Sequence, residues 1–235
     1  MKIPLNPPDQ RDALNTSEIR ALELEIAERS CPLDELMRRA GSALAQFVEA
    51  NTPQSNAVAI LCGSGNNAGD GWVAARVLAH AGRSVHLISP REAADIKAEP
   101  AASEAAATIL TIEADALDVR ILVNPQAPEL DEVLASCPVV IDAMLGTGFS
   151  GTEVKEPYRT WIERANVQHA RAGRCHIACD IPSGMAADTG SVAAPTFAAD
   201  ATITMIVPKL AFAEHAAKDY LGEVFVADIE HAQTL

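Results

Sequence analysis

From residue 56 onward the chain alternates short, unbroken apolar runs with stretches in which apolar residues recur at helical spacing. The runs are AVAILC (57–62), SVHLIS (84–89), RILV (120–123), PVVIDAML (138–145), CHIACDIP (175–182), ATITMIV (201–207) and GEVFVADI (222–229). Hydrophobicity that is continuous rather than alternating marks strands buried on both faces. Between the first runs, 71–81 reads as a helix and an Ala-rich helix centres on 101–107. Strand and helix in alternation predict an α/β protein, a three-layer αβα sandwich with a mostly parallel central sheet.

Two further helices precede this region. Asn15 and Glu18 have the spacing of a capping box, and Ile19, Leu22 and Ile26 follow on one helical face. After Pro32, the residues Leu36, Ala40, Leu44, Phe47 and Val48 form a second stripe, which Asn51 to Pro53 should end. Residues 1–14 are polar and interrupted by Pro4, Pro7 and Pro8, so they are expected to form a flexible arm.

Composition narrows the class. A chain of 235 residues suits a single domain spanning 1–235. With 49% hydrophobic and only 4% aromatic residues, the core must be built from Ala, Val, Leu and Ile. The 18 Lys+Arg against 32 Asp+Glu give a formal charge of −14 with no basic cluster, which argues against nucleic acid as a partner. No apolar run approaches the roughly 18 residues that span a bilayer. The opening MKIPLNPPDQ lacks the apolar centre of a signal peptide, so a cytoplasmic protein without a membrane partner is expected. Five cysteines, odd in number and without zinc-ribbon spacing, suit reduced, buried thiols.

The candidate chemistry gathers at strand ends. LCGSGNNAGDGWVAARVL (61–78) reads as strand, glycine-rich turn and helix, with a G-x-G-x-x-A spacing at Gly63, Gly65 and Ala68. Asp70 follows in that turn, Asp142 ends VVID, and Asp180 ends IACD. In a Rossmann-like sheet all three fall on the carboxyl edge, where ligands bind. Singly, each also has a structural reading: Asp70 favours a helix N-terminus, and Asp142 and Asp180 cap turns. Together they are more telling, because Gly65, Gly69, Gly146, Gly148, Gly151 and Gly184 let a ligand approach backbone in the same loops. Amide N–H groups at such a turn hold oxyanions, whereas Asn and Asp oxygens suit a hard cation. Asn67, Asp142 and Ser183 therefore could offer oxygens to a cation. Neutral oxygens with one carboxylate fit a monovalent ion better than magnesium.

Rival chemistries lack their residues. Glu92 lies about 20 residues beyond the loop, where a ribose ligand would be. Yet neither Tyr158 (Ile162 four residues on) nor Tyr220 (Val224) has the lysine of a short-chain dehydrogenase. Neither a G-x-x-x-x-G-K-[ST] phosphate loop nor a G-x-S-x-G nucleophile elbow is present. His86 and His176 fall within apparent strands and read as packed imidazoles.

GSGNNAGDGWVAARVLAHAG, VVIDAMLGTGFSG, DIPSGMAADTG and MIVPKLAF, in that order behind LMRRAGSALAQFV, resemble the NAD(P)H-hydrate epimerase family, the YjeF N-terminal domain. The resemblance covers nearly the whole chain after about residue 15. It implies an isomerase of nicotinamide cofactor repair that interconverts the R and S forms of NADHX and NADPHX at C6. It further implies coupling to an ADP- or ATP-dependent dehydratase, a homodimer, and one K+ per subunit. By the same resemblance, substrate falls to Asn66, Asn67, Ala68, Gly69 and Asp70, then to Gly146, Thr147, Gly148, Phe149, Ser150, Gly151 and Thr152, and to Asp180. K+ falls to Asn67, Asp142 and Ser183. Asp180 is the expected proton carrier. Ala68 replaces a usual glycine, which requires negative φ there. The second loop is less basic than in relatives with a lysine. Arg91 and Glu92 pull in opposite directions on a 2′-phosphate, so the sequence does not choose between NADHX and NADPHX. A non-catalytic binding scaffold of the same fold and a nicotinamide-dependent oxidoreductase are the alternatives.

Overall fold

In the computed structural model, which describes residues 2–9 and 12–231, eight strands form one sheet in the order β1-β8-β7-β6-β5-β2-β3-β4. These are β1 (Leu5–Asn6), β2 (Val58–Cys62), β3 (Val85–Ser89), β4 (Val119–Val123), β5 (Val139–Ala143), β6 (Cys175–Cys179), β7 (Ala201–Met205) and β8 (Glu223–Ala227). All pairs are parallel except β1 with β8. The helices are α1 (Thr16–Arg29), α2 (Leu33–Asn51), α3 (Asn66–His80), α4 (Ala101–Asp115), α5 (Ala127–Ser136), α6 (Tyr158–His169) and the short α7 (Lys218–Leu221).

The apolar runs are continuous because each strand feeds two cores. Val58, Ile60 and Cys62 of β2 pack with α2, α3 and α4 on one face, while Ala59 and Leu61 pack with α5 and α6 on the other. The predicted three-layer sandwich is therefore the observed one. Small residues permit the close helix packing; a Cβ on Gly41 would lie 2.5 Å from the Val73 Cβ. Asn15 caps α1 as predicted, accepting from the Glu18 N–H while the Glu18 carboxylate accepts from the Asn15 N–H.

Three expectations shift. The segment expected to be a flexible arm docks: Ile3 is buried, and Leu5 and Asn6 pair antiparallel with Ala227 and Val226. Its prolines sit at a sheet edge, where a missing donor costs little. Met1, Gln10 and Arg11 of that segment lie outside the described residues. Helix α3 begins five residues before the expected Gly71, directly at Asn66, and α4 continues past its Ala-rich part to Asp115. Strand order reverses between β2 and β5, so the crevice between their carboxyl ends is the natural ligand position.

Candidate active site

At that reversal point lies a cleft of about 710 Å³, within the range of small-molecule sites. The ends of β2, β5, β6 and β7 form its floor, and α1 with the start of α2 forms one wall. Thr16 at the head of α1 holds that wall in place, donating from its N–H and hydroxyl to Asp188 Oδ1 at 2.6 and 2.7 Å.

The floor is drawn together by glycine. A Cβ on Gly63 would sit 1.9 Å from the Met144 carbonyl oxygen, so only glycine lets the loops after β2 and β5 touch. The expected substrate loop is the first turn of α3, capped at Gly65. Asn66, Asn67 and Asp70 line the cleft, whereas Ala68 and Gly69 are buried beneath it. Ala68 is helical and is not among the residues with positive φ, so its methyl is accommodated. In the second loop Gly146, Thr147, Gly148 and Phe149 line the cleft; Ser150, Gly151 and Thr152 are exposed outside its lining. Arg91 and Glu92 lie outside it as well, and Arg91 reaches back to the Asp95 carbonyl at 3.5 Å.

Asn67, Asp142 and Ser183 meet through one hydrogen-bond network. Asp142 is 0% exposed and accepts from Ser183 Oγ at 2.6 Å, Ser183 N–H at 2.7 Å and Met144 N–H at 3.1 Å. Ser183 Oγ in turn accepts from Leu145 N–H at 2.9 Å, and Asn67 Nδ2 donates to the Leu145 carbonyl at 3.3 Å. Burial pushes the Asp142 carboxyl up to about 6 against the pull of those donors. Among the described residues, no cationic side chain pairs with it. A buried carboxylate without a counter-charge, ringed by neutral oxygens, is a donor set that fits a weakly hydrated monovalent cation.

Asp180 sits at the end of β6 with φ of 64°, and its neighbours Ile181 N–H and Cys179 carbonyl bond at 2.7 Å across it. Its Oδ1 accepts from Thr204 Oγ1 and Met205 N–H, each at 3.1 Å, and from the Lys209 ammonium. The side chain is 15% exposed and lines the cleft. Asp70 and Glu23 face the same space. Burial, then the nearby Asp180, raises the carboxyls of both above the ordinary range. Cys179 Sγ donates to Asp70 Oδ2 at 3.6 Å, and burial pushes this thiol well up, so it is a donor rather than a thiolate nucleophile.

Thus Asn67, Asp142, Ser183, Asp70 and Asp180 converge, as strand-end placement requires. Lys209 and Glu23 escaped the sequence reading. Lys209 stands within MIVPKLAF, but a lone lysine after a strand gives no sign of a partner 29 residues upstream. Glu23 lies on an ordinary amphipathic helix. The five cysteines are free, and all but Cys175 are buried.

Residues 33–211 match the family model described as YjeF-related protein N-terminus. The chain is 34% identical over 230 residues to the NAD(P)H-hydrate epimerase of Rhodopirellula baltica, covering 97% of this chain and 88% of that one. It is 35% identical over 209 residues to the bifunctional NAD(P)H-hydrate repair enzyme Nnr of Coxiella burnetii, covering 89% of this chain and 39% of the longer protein. Among solved structures, yeast YNL200c superposes with a TM-score of 0.73 at 21% identity, over 91% of this chain and 87% of that one.

Proposed function

The chain belongs to the family of YjeF-related N-terminal domains, and from that premise we infer that it is an NAD(P)H-hydrate epimerase, an isomerase that interconverts the R and S epimers of NADHX and NADPHX in nicotinamide cofactor repair. Relatives matched over most of their own length carry that name. The observation that carries the reading to this chain is the meeting of the turns after β2, β5 and β6 in one cleft, with a carboxylate available there.

C6 of the hydrated ring bears both the hydroxyl and the ring nitrogen, so it is a hemiaminal carbon. Epimerisation follows if water leaves and re-enters on the other face, or if the C6–N1 bond opens and recloses. Both routes need a group that moves a proton at the C6 oxygen, and we assign that work to Asp180. Oδ1 is occupied by three donors, so Oδ2, which has no protein partner among the described residues, is the oxygen that meets substrate. The N–H groups of the first turn of α3 suit the substrate's phosphate oxygens. The apolar wall of Ile19, Leu36 and Met37 excludes water from the other side.

Asn67, Asp142 and Ser183 are assigned to one K+ per subunit. When bound, the ion supplies positive charge that offsets buried Asp142 and adds to the anion affinity of the adjoining α3 turn. Bifunctional relatives carry the epimerase in a longer repair enzyme. We accordingly place this chain in functional coupling with an ADP- or ATP-dependent NAD(P)H-hydrate dehydratase, as a cytoplasmic homodimer. Among the described residues no helix is long and apolar enough to cross a membrane. Incubation of R-NADHX with the protein, followed by chiral chromatography, tests the activity; conversion to S-NADHX no faster than in buffer rejects it.

A further inference from the structure

Two adjacent strands end in the same uncommon way. After β6, Asp180 has φ of 64° with Ile181 N–H donating to the Cys179 carbonyl at 2.7 Å. After β7, Ile206 has φ of 64° with Val207 N–H donating to the Met205 carbonyl at 2.7 Å. Positive φ with a bond closing over two residues describes the rare, strained form of the γ-turn. For a β-branched isoleucine this backbone region is a marked outlier. Such strain persists only where the surroundings over-determine it, and it gathers at functional sites.

One side chain joins both turns. Lys209 is 1% exposed, and its ammonium donates to Asp180 Oδ1 in the first turn and to the carbonyls of Met205 and Val207, at 3.3 and 3.5 Å, on either side of Ile206 in the second. Its three hydrogens thereby find three acceptors, which a buried ammonium requires. Thr204 Oγ1 and Met205 N–H add their donors to the same carboxylate oxygen. Among the described residues, every hydrogen bond to the Asp180 carboxylate therefore converges on Oδ1.

We propose that Lys209 is the positioning residue of the acid–base centre: by stapling the twin turns and occupying Oδ1, it presents Oδ2 of Asp180 to the substrate. This rests on the epimerase reading above and adds a residue to it. Lys209 does not touch substrate, because it lies behind Asp180 and outside the cleft lining.

The test compares wild type, Asp180→Asn, Lys209→Met and the double variant, with initial rates on R-NADHX and folding checked by circular dichroism. Lys209→Met should lower kcat about 10- to 100-fold, less than the roughly 100- to 10,000-fold of direct general acid–base work because the carboxyl remains, while KM stays within about 3-fold. Because Lys209 acts through Asp180, adding Lys209→Met to Asp180→Asn should cost less than about 3-fold further, as coupled sites fail to add. If Asp180→Asn is inactive yet Lys209→Met keeps wild-type kcat, or if the two losses multiply, the proposal falls and the epimerase reading stands. If Asp180→Asn retains wild-type rates, Asp180 is not the proton carrier and the Lys209 proposal falls with that assignment, while the epimerase reading stands. Should Lys209→Met alone fail to fold, the double variant decides. Folding restored by Asp180→Asn shows that the pair is the link, and an unfolded double variant shows a general structural role and overturns the proposal.

Discussion

Acid should destabilise this protein through one histidine in a way that can be measured separately. His176, 0% exposed on β6, is stacked between His169 and Phe197 at ring separations of 4.5 and 5.1 Å. Burial, followed by the His169 ring, pushes it down to about 3 from an ordinary 6.5. Between those values the unfolded chain binds a proton that the folded chain refuses, so stability is whole above pH 6.5 and is lost as pH falls toward 3. At pH 5 the group lies about 1.5 pH units below its unfolded value, a cost of about 2 kcal/mol at 1.36 kcal/mol per unit. Asp142, raised to about 6, works in the opposite sense, gaining stability as pH falls through that value. The histidine must therefore be isolated by difference. Urea unfolding of wild type and His176→Phe at pH 7.5 and 5 gives the four free energies. The phenylalanine variant should lose about 2 kcal/mol less between the two pH values. Equal losses in both proteins would refute the assignment of a neutral, buried His176.

KCl should raise the melting temperature of wild type relative to the same concentration of choline chloride, since a ligand that binds only the folded state stabilises it. In Asp142→Asn that difference should vanish, and an unchanged potassium response would remove Asp142 from the ion site. Gly63→Ala, whose methyl would lie 1.9 Å from a backbone oxygen, should cost about 1 to 3 kcal/mol and loosen the contact between the β2 and β5 loops. Wild-type stability and activity in that variant would contradict the close approach.

Much of this architecture was legible because local chemistry and tertiary burial agree. The Asn15–Glu18 box starts α1, and the apolar runs become strands since both faces are covered. What stayed hidden depends on distant partners. Helices α5 and α6 bury only a few residues each, such as Leu130, Val133, Trp161 and Ala165, so their periodicity is faint in the sequence. Residues 2–9 look like a free arm until β8 offers an edge and a pocket for Ile3. At the site, the three aspartates were found because strand ends share an edge. Lys209 was not, because the γ-turns that bring it to Asp180 are set by sheet order rather than by any short motif.

The proposed epimerisation depends most on the Asp180 carboxylate that lines the cleft. Chiral chromatography of R-NADHX incubated with wild type and with Asp180→Asn tests it directly. The wild-type protein should bring the mixture to its R/S equilibrium, and the variant, folded and with similar KM, should do so about 100-fold more slowly. Equal rates from the two proteins would contradict it.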